Sequence, residues 1–325
     1  MPTQIDHAAK EPDIKTLSNL CLVRCCICDV WDVTPVAVGE DFEYHTCPES
    51  FLAVRCNRCG LVFLNPRPSV SDLDVIYPAT YHAYNFTAEN FGLIHTIRRR
   101  LEARRLLEVC RGLPAGSRVL DVGCGDGFHL KLLKEFGPKD WTLEGVDASE
   151  LAAERARDAG LQVHHGRLED LRLDAESFDL ILLIATIEHV ENPRDLLEEA
   201  RRLLKRGGRI AIVTDNVDTL DFRIWKARCW GGYHFPRHWN LFSKSSFSRL
   251  AQRCDLRVKK IETLVSPVNW VYSIRNFLVD RRAPEFLVRQ FSLNAPASLA
   301  VFTLWDQIFT WFGKGALLRL TLAKD

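Results

Sequence analysis

Apolar and polar positions change rhythm twice along this chain, and each change marks a change of architecture. From Ser117 onward, short apolar runs alternate with stretches of helical period. Arg118–Val122 offers no continuous polar face, as expected of a parallel strand covered on both sides. Three glycines on alternate positions follow it, Gly123, Gly125 and Gly127, and then the helical stretch Phe128–Phe136. Further strands are predicted at 142–146 (ending in Asp147), Gln162–His165, Phe178–Ile184 and 209–214. Helices are predicted at 149–159, stopped by Gly160, and at 194–204, opened by Asn192-Pro193 and ended by Gly207-Gly208. Strands alternating with helices over short connections predict a doubly wound α/β sheet. After Asp215 an aromatic and His-rich stretch runs to Phe242. A helix at 245–253, a strand at Leu256–Leu264, apolar helices over 266–314 and a closing strand at 317–323 complete the pattern.

Ahead of residue 117 the pattern is different. Residues 1–20 read as a polar tail. Cys25 with Cys28, and Cys56 with Cys59, form two Cys-x-x-Cys pairs around strand-like segments at 33–38 and 51–55. Two such knuckles make a tetrahedral thiolate cage of the kind structural zinc prefers, with Gly60 suiting the second turn. Cys26 is an alternative ligand, and Cys21 and Cys47 read as plain thiols. Four thiolates leave no open coordination position, so the expected role is structural. A last strand at 61–64 leaves through Asn65-Pro66-Arg67-Pro68 into a stiff linker, and 69–112 is mainly helical. Tyr77, Tyr81, Tyr84 and Phe86 cluster there, as packing or as a lid. The expected organisation is a tail (1–20), a zinc-ribbon-like module (21–68), a helical linker or lid (69–116), a ligand-binding α/β domain (117–265), and a helical lid with closing strand (266–325).

Composition narrows the partners. A hydrophobic fraction of 47%, a charged fraction of 26% and a net charge of +1 give no surplus to grip nucleic acid. Arg98-Arg99-Arg100 with Arg104-Arg105 read as a solvated helical face. Residues 1–15 carry both charges, unlike a secretory or transit leader. The nearest uncharged apolar run, 290–305, is short and interrupted by Asn294 and Pro296, so a transmembrane span is not expected. A cytoplasmic setting is the expectation. The 11 cysteines then serve as thiols or metal ligands instead of disulfides.

The glycine turn suits a nucleotide-type ligand, because φ > 0 lets it approach a backbone that leads into a helix N-terminus. Asp147, about 20 residues on, can accept from ribose hydroxyls in dinucleotides and adenosyl cofactors alike. Asp121 stands where a dinucleotide fingerprint has its first glycine, and the spacing is Gly-x-Gly-x-Gly. These residues, in VLDVGCGDG, come with GVDAS, FDLILLIATIEHVENP and LLKRGGRIAIVT in that order. The set, over about a third of the chain, closely resembles class I S-adenosylmethionine-dependent methyltransferases, in particular the small-molecule, ubiquinone-biosynthesis-like branch. PRHWNLFS and the two cysteine pairs resemble a bacterial subgroup in which a zinc-ribbon-like N-terminus precedes that domain.

The resemblance implies a Rossmann-like seven-stranded sheet with S-adenosylmethionine as cofactor. Asp121, Gly123, Cys124 and Gly125 would surround its methionine part and Asp147 its ribose, with Ala148 beside the adenine and Leu168 and Ile184 among the remaining contacts. An acidic residue usually meets the adenine edge in this family, but here Arg167 cannot accept from an amino group. That contact falls to Glu169, to Asp170 or to the backbone at Leu168.

Methyl transfer to a hydroxyl needs positioning and a base, and His238, His189 (beside Glu188) and His234 fall where the fold places the methyl group. Some quinone O-methyltransferases carry Glu-x-x-Glu-His, which holds a divalent metal. Here the first position is Ala185, so metal-independent chemistry with His238 or His189 as base is expected. Trp225, Trp230, Tyr233, Phe235 and Trp239 either wall a pocket or pack on themselves, and 286–312 forms lid helices, a dimer face or a peripheral membrane contact. The leading expectation is O-methylation of a small molecule: a sugar, a quinone-like compound or another secondary metabolite. The rivals are a ribosomal RNA methyltransferase and a non-catalytic cofactor-binding scaffold.

Overall fold

The computed structural model describes residues 15–78, 81 and 88–324, and the side chains of these except 88–95 and 98. Three antiparallel strands open the fold: β1 (Val33–Gly39), β2 (Phe51–Cys56) and β3 (Val62–Leu64). Helix α1 (Ala88–Cys110) leads to the main sheet. There follow β4 (Arg118–Val122), α2 (Phe128–Phe136), β5 (Thr142–Asp147), α3 (Glu150–Asp158) and β6 (Gln162–His165). Then come β7 (Phe178–Ile184), α4 (Pro193–Leu203), β8 (Leu204–Asp215), α5 (Leu220–Trp225) and β9 (Asn240–Leu241). The chain closes with α6 (Lys244–Arg253), β10 (Leu256–Leu264), α7 (Val268–Asp280), α8 (Pro296–Trp311) and β11 (Leu317–Lys324).

Seven strands form one sheet in the order β10-β11-β8-β7-β4-β5-β6, with β11 antiparallel to both neighbours. Alternation along β7 explains its burial on two faces. Leu180 and Leu182 pack with Leu106, Leu132 and Leu133 of α1 and α2, while Ile181 and Leu183 pack with Leu196 and Leu197 of α4 and Leu250 of α6. The register sets Asp121 beside Leu182 and Gly145, so β4, β5 and β7 end together at one edge. Open α/β sheets bind ligands at that edge.

Two local expectations are corrected. Gly207-Gly208 does not end a helix: α4 stops at Leu203, and the glycines lie in an irregularity of β8, where pairing with β7 shifts between Leu204 and Arg209. The proposed stiff linker is instead a buried strand. Arg67–Pro68 pairs with Leu20–Cys21, and the Arg67 guanidinium lies 4.9 Å over the Trp239 ring and donates to Glu191 O at 2.7 Å.

The N-terminal sheet is not a detached bead. Its fourth strand is β9, from beyond the main sheet's fifth strand, giving the order β9-β3-β2-β1. One face of it, with Cys25, Ile27 and Phe63, continues the core of β4 and β7. The other, with Phe51, Ala53 and Leu64, packs against Trp230, Tyr233, Phe235 and Trp239. Those aromatics therefore form a second core packed on the N-terminal sheet. No helix among the described residues is long and apolar enough to cross a membrane.

Candidate functional site

The glycine turn uses a left-handed backbone that glycine adopts without steric cost. Gly123 has φ +71, and a Cβ there would sit 2.6 Å from Thr186 Oγ1, whose hydroxyl donates to Val122 O at 2.8 Å. Around Gly125 a Cβ would meet nothing within 4 Å, so space is open above the turn. Helix α2 begins there without a side-chain cap. Asp121 is buried, and its Oδ2 has no hydrogen-bond partner; His129 Nδ1 is 3.7 Å away, beyond hydrogen-bond reach. A buried carboxylate oxygen left unbonded is costly, and an ammonium group would satisfy it.

Asp147 is anchored by its neighbours: Oδ2 accepts from Gly125 N at 2.7 Å and Oδ1 from Ser149 N at 2.9 Å. Burial raises its pKa despite those two bonds. Of the other residues expected around the cofactor, Cys124 is turned into the fold, with its Sγ under Gly145 and its thiol pKa pushed up by burial. Ala148 offers its carbonyl to His165 Nε2 at 3.2 Å, Leu168 is buried, and Ile184 lines the neighbouring cleft. Arg167 pairs with Glu169 at 3.4 Å and with Glu191 at 3.2 Å, which neutralises it beside the expected adenine position.

The four knuckle cysteines converge. Their sulfurs all lie within 4.8 Å of one another, with Cys25 Sγ 3.4 Å from Cys59 Sγ. Each knuckle closes through the same turn: Asp29 N donates to Cys25 O at 2.8 Å and Gly60 N to Cys56 O at 2.9 Å. Gly60 (φ +79) and Asp29 (φ +52) occupy equivalent left-handed positions, so aspartate does in the first knuckle what glycine does in the second. Hydrogen bonding from Cys59 lowers the Cys25 pKa to about 5 against the opposing effect of burial. Cys26 points elsewhere, 3.8 Å from Asn240 Oδ1.

Beyond the carboxyl ends of β7 and β8 lies a cleft of about 280 Å³. His238, at its wall, has Nδ1 2.8 Å from Gly232 O and 3.2 Å from Asp215 Oδ2. Both partners only accept, so Nδ1 carries the proton and Nε2 is the basic nitrogen. Burial disfavours the His238 cation, but the Asp215 carboxylate outweighs it, helped by Glu188, and the pKa lies above 6.5. Glu188 is fully buried, with Oε2 accepting from Thr214 Oγ1 at 2.8 Å; burial and Asp215 raise its pKa to about 7 against the pull of His238. The His189 and His238 rings are 4.6 Å apart, and His189 Nδ1 is 2.8 Å from Tyr77 Oη and 3.2 Å from Arg237 O. Ligand-capable atoms of Glu188, His189 and His238 all lie within 4.8 Å of one another. His234 stands nearby but is engaged by Glu43 at 2.8 Å.

Several participants had no sequence signal. Asp215 and Asn269 (Nδ2 to Asp215 Oδ1, 2.7 Å) fix His238 from β8 and α7. Glu43 comes from the N-terminal sheet's loop. Tyr77 and Tyr81 do meet the histidines, with Tyr81 5.8 Å from the His234 ring; Tyr84 and Phe86 lie outside the described residues. Arg105 is half-buried and reaches the cleft, donating to Glu102 at 3.0 Å and to Val265 O at 3.1 Å, while Arg100 and Arg104 face water and the side chain of Arg98 lies outside the described residues. Only the periodicity of α1 could have hinted at Arg105.

The chain is 36% identical over 116 residues to the ubiquinone biosynthesis O-methyltransferase of Maricaulis maris, covering 34% of this chain and 44% of that one. An uncharacterised protein of Methanocaldococcus jannaschii is 40% identical over 102 residues, 31% of this chain and 46% of its own. These matches thus span less than half of each relative's length. Among solved structures, a SAM-dependent methyltransferase from Thermotoga maritima aligns with a TM-score of 0.48 at 22% identity, over 73% of this chain and 94% of its own. The methyltransferase domain family matches residues 94–261, more than half of the chain, and the protein belongs to that family.

Proposed function

We propose that the protein transfers a methyl group from S-adenosylmethionine to a hydroxyl of a small molecule, with His238 as general base. When bound, the cofactor supplies a methyl group on an electrophilic sulfonium. The Asp121 carboxylate would take its ammonium, Gly123 and Gly125 would admit its aminoacyl tail, and Asp147 would hold the ribose. Asp215 fixes the His238 tautomer, so that Nε2 takes the acceptor hydroxyl's proton as oxygen attacks in line. His189, oriented by Tyr77, stands beside it as an acceptor-positioning group or second base. Glu188 balances the charge that forms on His238.

The observation that carries this reading is the Asp215–His238 pair in the cleft at the sheet edge that also bears the unpartnered Asp121 oxygen. The relatives' names, ubiquinone biosynthesis O-methyltransferase, favour oxygen as acceptor atom and a quinone-like acceptor over a sugar or another secondary metabolite. A screen of hydroxylated acceptors with labelled cofactor tests it. The expected outcome is methyl transfer that His238→Gln lowers about 10²–10⁴-fold with cofactor affinity retained; unchanged turnover would sink the base assignment.

The closeness of Glu188, His189 and His238 favours one second reading, in which a divalent cation among them lowers the acceptor's pKa. Chelator treatment separates the two, because loss of turnover restored by added Mg²⁺, which a four-thiolate site does not take, supports a metal in the cleft. For the knuckles, we propose a structural zinc on Cys25, Cys28, Cys56 and Cys59. Four convergent sulfurs fit that ion.

A further inference from the structure

We propose that the outer face of α8 seats on an anionic lipid surface. The helix carries two apolar faces, and only one is used by the fold. Inward, Phe302 and Phe309 stack on Trp270 with ring centroids 6.0 and 6.3 Å apart. Buried Asp306 accepts from Ser266 N at 2.9 Å and Ala316 N at 3.1 Å, which pins the helix to the body.

Outward, Val301, Leu304, Trp305, Ile308, Trp311 and Phe312 fall at helical spacing and are 43–77% exposed. No charge interrupts this stripe. Phe286 and Leu287, in the preceding turn of helix, are exposed as well. Scattered exposed leucines need no explanation, but a contiguous stripe with two tryptophans marks a contact surface.

Charge selects the occupant. Between residues 281 and 316 Glu285 pairs with Arg289, which leaves Arg281, Arg282 and Lys314 as exposed cations with no exposed acidic residue to offset them in that stretch, because Asp306 is buried. A two-fold contact with a second copy would press this basic surface on itself. Anionic headgroups complement it, and tryptophan and phenylalanine favour the headgroup boundary. At 16 residues, or roughly 24 Å, α8 is too short to span a bilayer and lies in its plane. The inference does not depend on which acceptor is methylated.

The test is co-sedimentation of the full chain with vesicles of phosphatidylcholine alone or mixed equally with phosphatidylglycerol. Binding to the mixed vesicles that weakens with salt is the expected result. The double variant Trp311→Ser/Phe312→Ser should weaken that binding by at least about tenfold while cofactor affinity and circular dichroism stay unchanged. Arg281→Glu/Arg282→Glu should remove the preference for anionic vesicles. Absence of wild-type binding, undiminished binding by the aromatic variant, or a wild-type dimer that this variant dissociates without changing vesicle binding would each overturn the proposal.

Discussion

Replacing Asp41 by asparagine tests whether the N-terminal sheet holds the histidine loop in place. Asp41 and Arg237 are both fully buried and meet side-on, with Arg237 Nη1 to Asp41 Oδ1 at 3.0 Å and Nη2 to Oδ2 at 2.9 Å. Asp41 also accepts from Tyr44 N and Thr46 N, each at 3.0 Å, and from Thr46 Oγ1 at 2.8 Å. Burial alone would raise its pKa; Arg237 and these donors win and hold it at about 2, against an ordinary 3.8. That drop corresponds to about 2–3 kcal/mol of stability, present above pH 4 and lost as pH falls through about 2. The Asp41→Asn substitution would cost more, about 3–5 kcal/mol, because the new amide turns a donor toward an uncompensated Arg237 cation. Arg237 precedes His238, and its carbonyl contacts His189 Nδ1 at 3.2 Å, so turnover should fall with stability while cofactor affinity holds. Urea unfolding at pH 7, followed by fluorescence of buried Trp230 and Trp239, measures the loss. Asp41→Asn/Arg237→Met, which removes the stranded cation while an amide oxygen still accepts from the Tyr44 and Thr46 donors, should recover most of it. A single substitution within about 1 kcal/mol of wild type, or a double variant as unstable as the two singles summed, would refute the reasoning.

The acid limb of the kcat/KM profile should lie above pH 6.5, because the Asp215 carboxylate raises the His238 pKa and turnover needs its neutral form. Glu188→Gln removes a negative neighbour and should move that limb to lower pH; an unmoved or higher limb would count against His238 as the titrating base. Gly125→Ala should weaken cofactor binding by calorimetry with a stability loss of only about 1–2 kcal/mol from the left-handed backbone. Gly123→Ala should lose both, since its Cβ would collide with Thr186. Cys25→Ser should release about one equivalent of zinc and destabilise the N-terminal sheet, whereas Cys26→Ser should leave metal content unchanged. Equal zinc in both variants would exclude the four-cysteine site.

What the sequence revealed and what it hid divide along the range of the interactions involved. Strand β7, the turn at Gly123 and the two cysteine knuckles are local: each is specified by a few consecutive residues whose period or spacing has one favourable conformation. Their positions were legible for that reason, and Gln162–His165, Phe178–Ile184 and Leu256–Leu264 stand where periodicity puts them. The irregularity at Gly207 was misread because glycine after a helix suits a C-terminal stop and a strand bulge equally well. The surroundings of His238 are of another kind. Asp215, Gly232 and Asn269 fix its ring from separate elements, and Tyr77, Glu43 and Asp41 reach the histidines and their loop across 112 to 196 residues of sequence. No period encodes such meetings. They arise because β9 leaves the histidine loop to become the edge strand of the N-terminal sheet, Leu64 N donating to Trp239 O at 3.0 Å. That pairing ties the two modules mechanically, since Trp239 N and Asn240 N both donate to Glu188 O at 2.8 and 3.0 Å. A metal that orders the knuckles would therefore also order the backbone carrying Glu188 and His238, so its removal should lower turnover even though no knuckle cysteine faces the cleft.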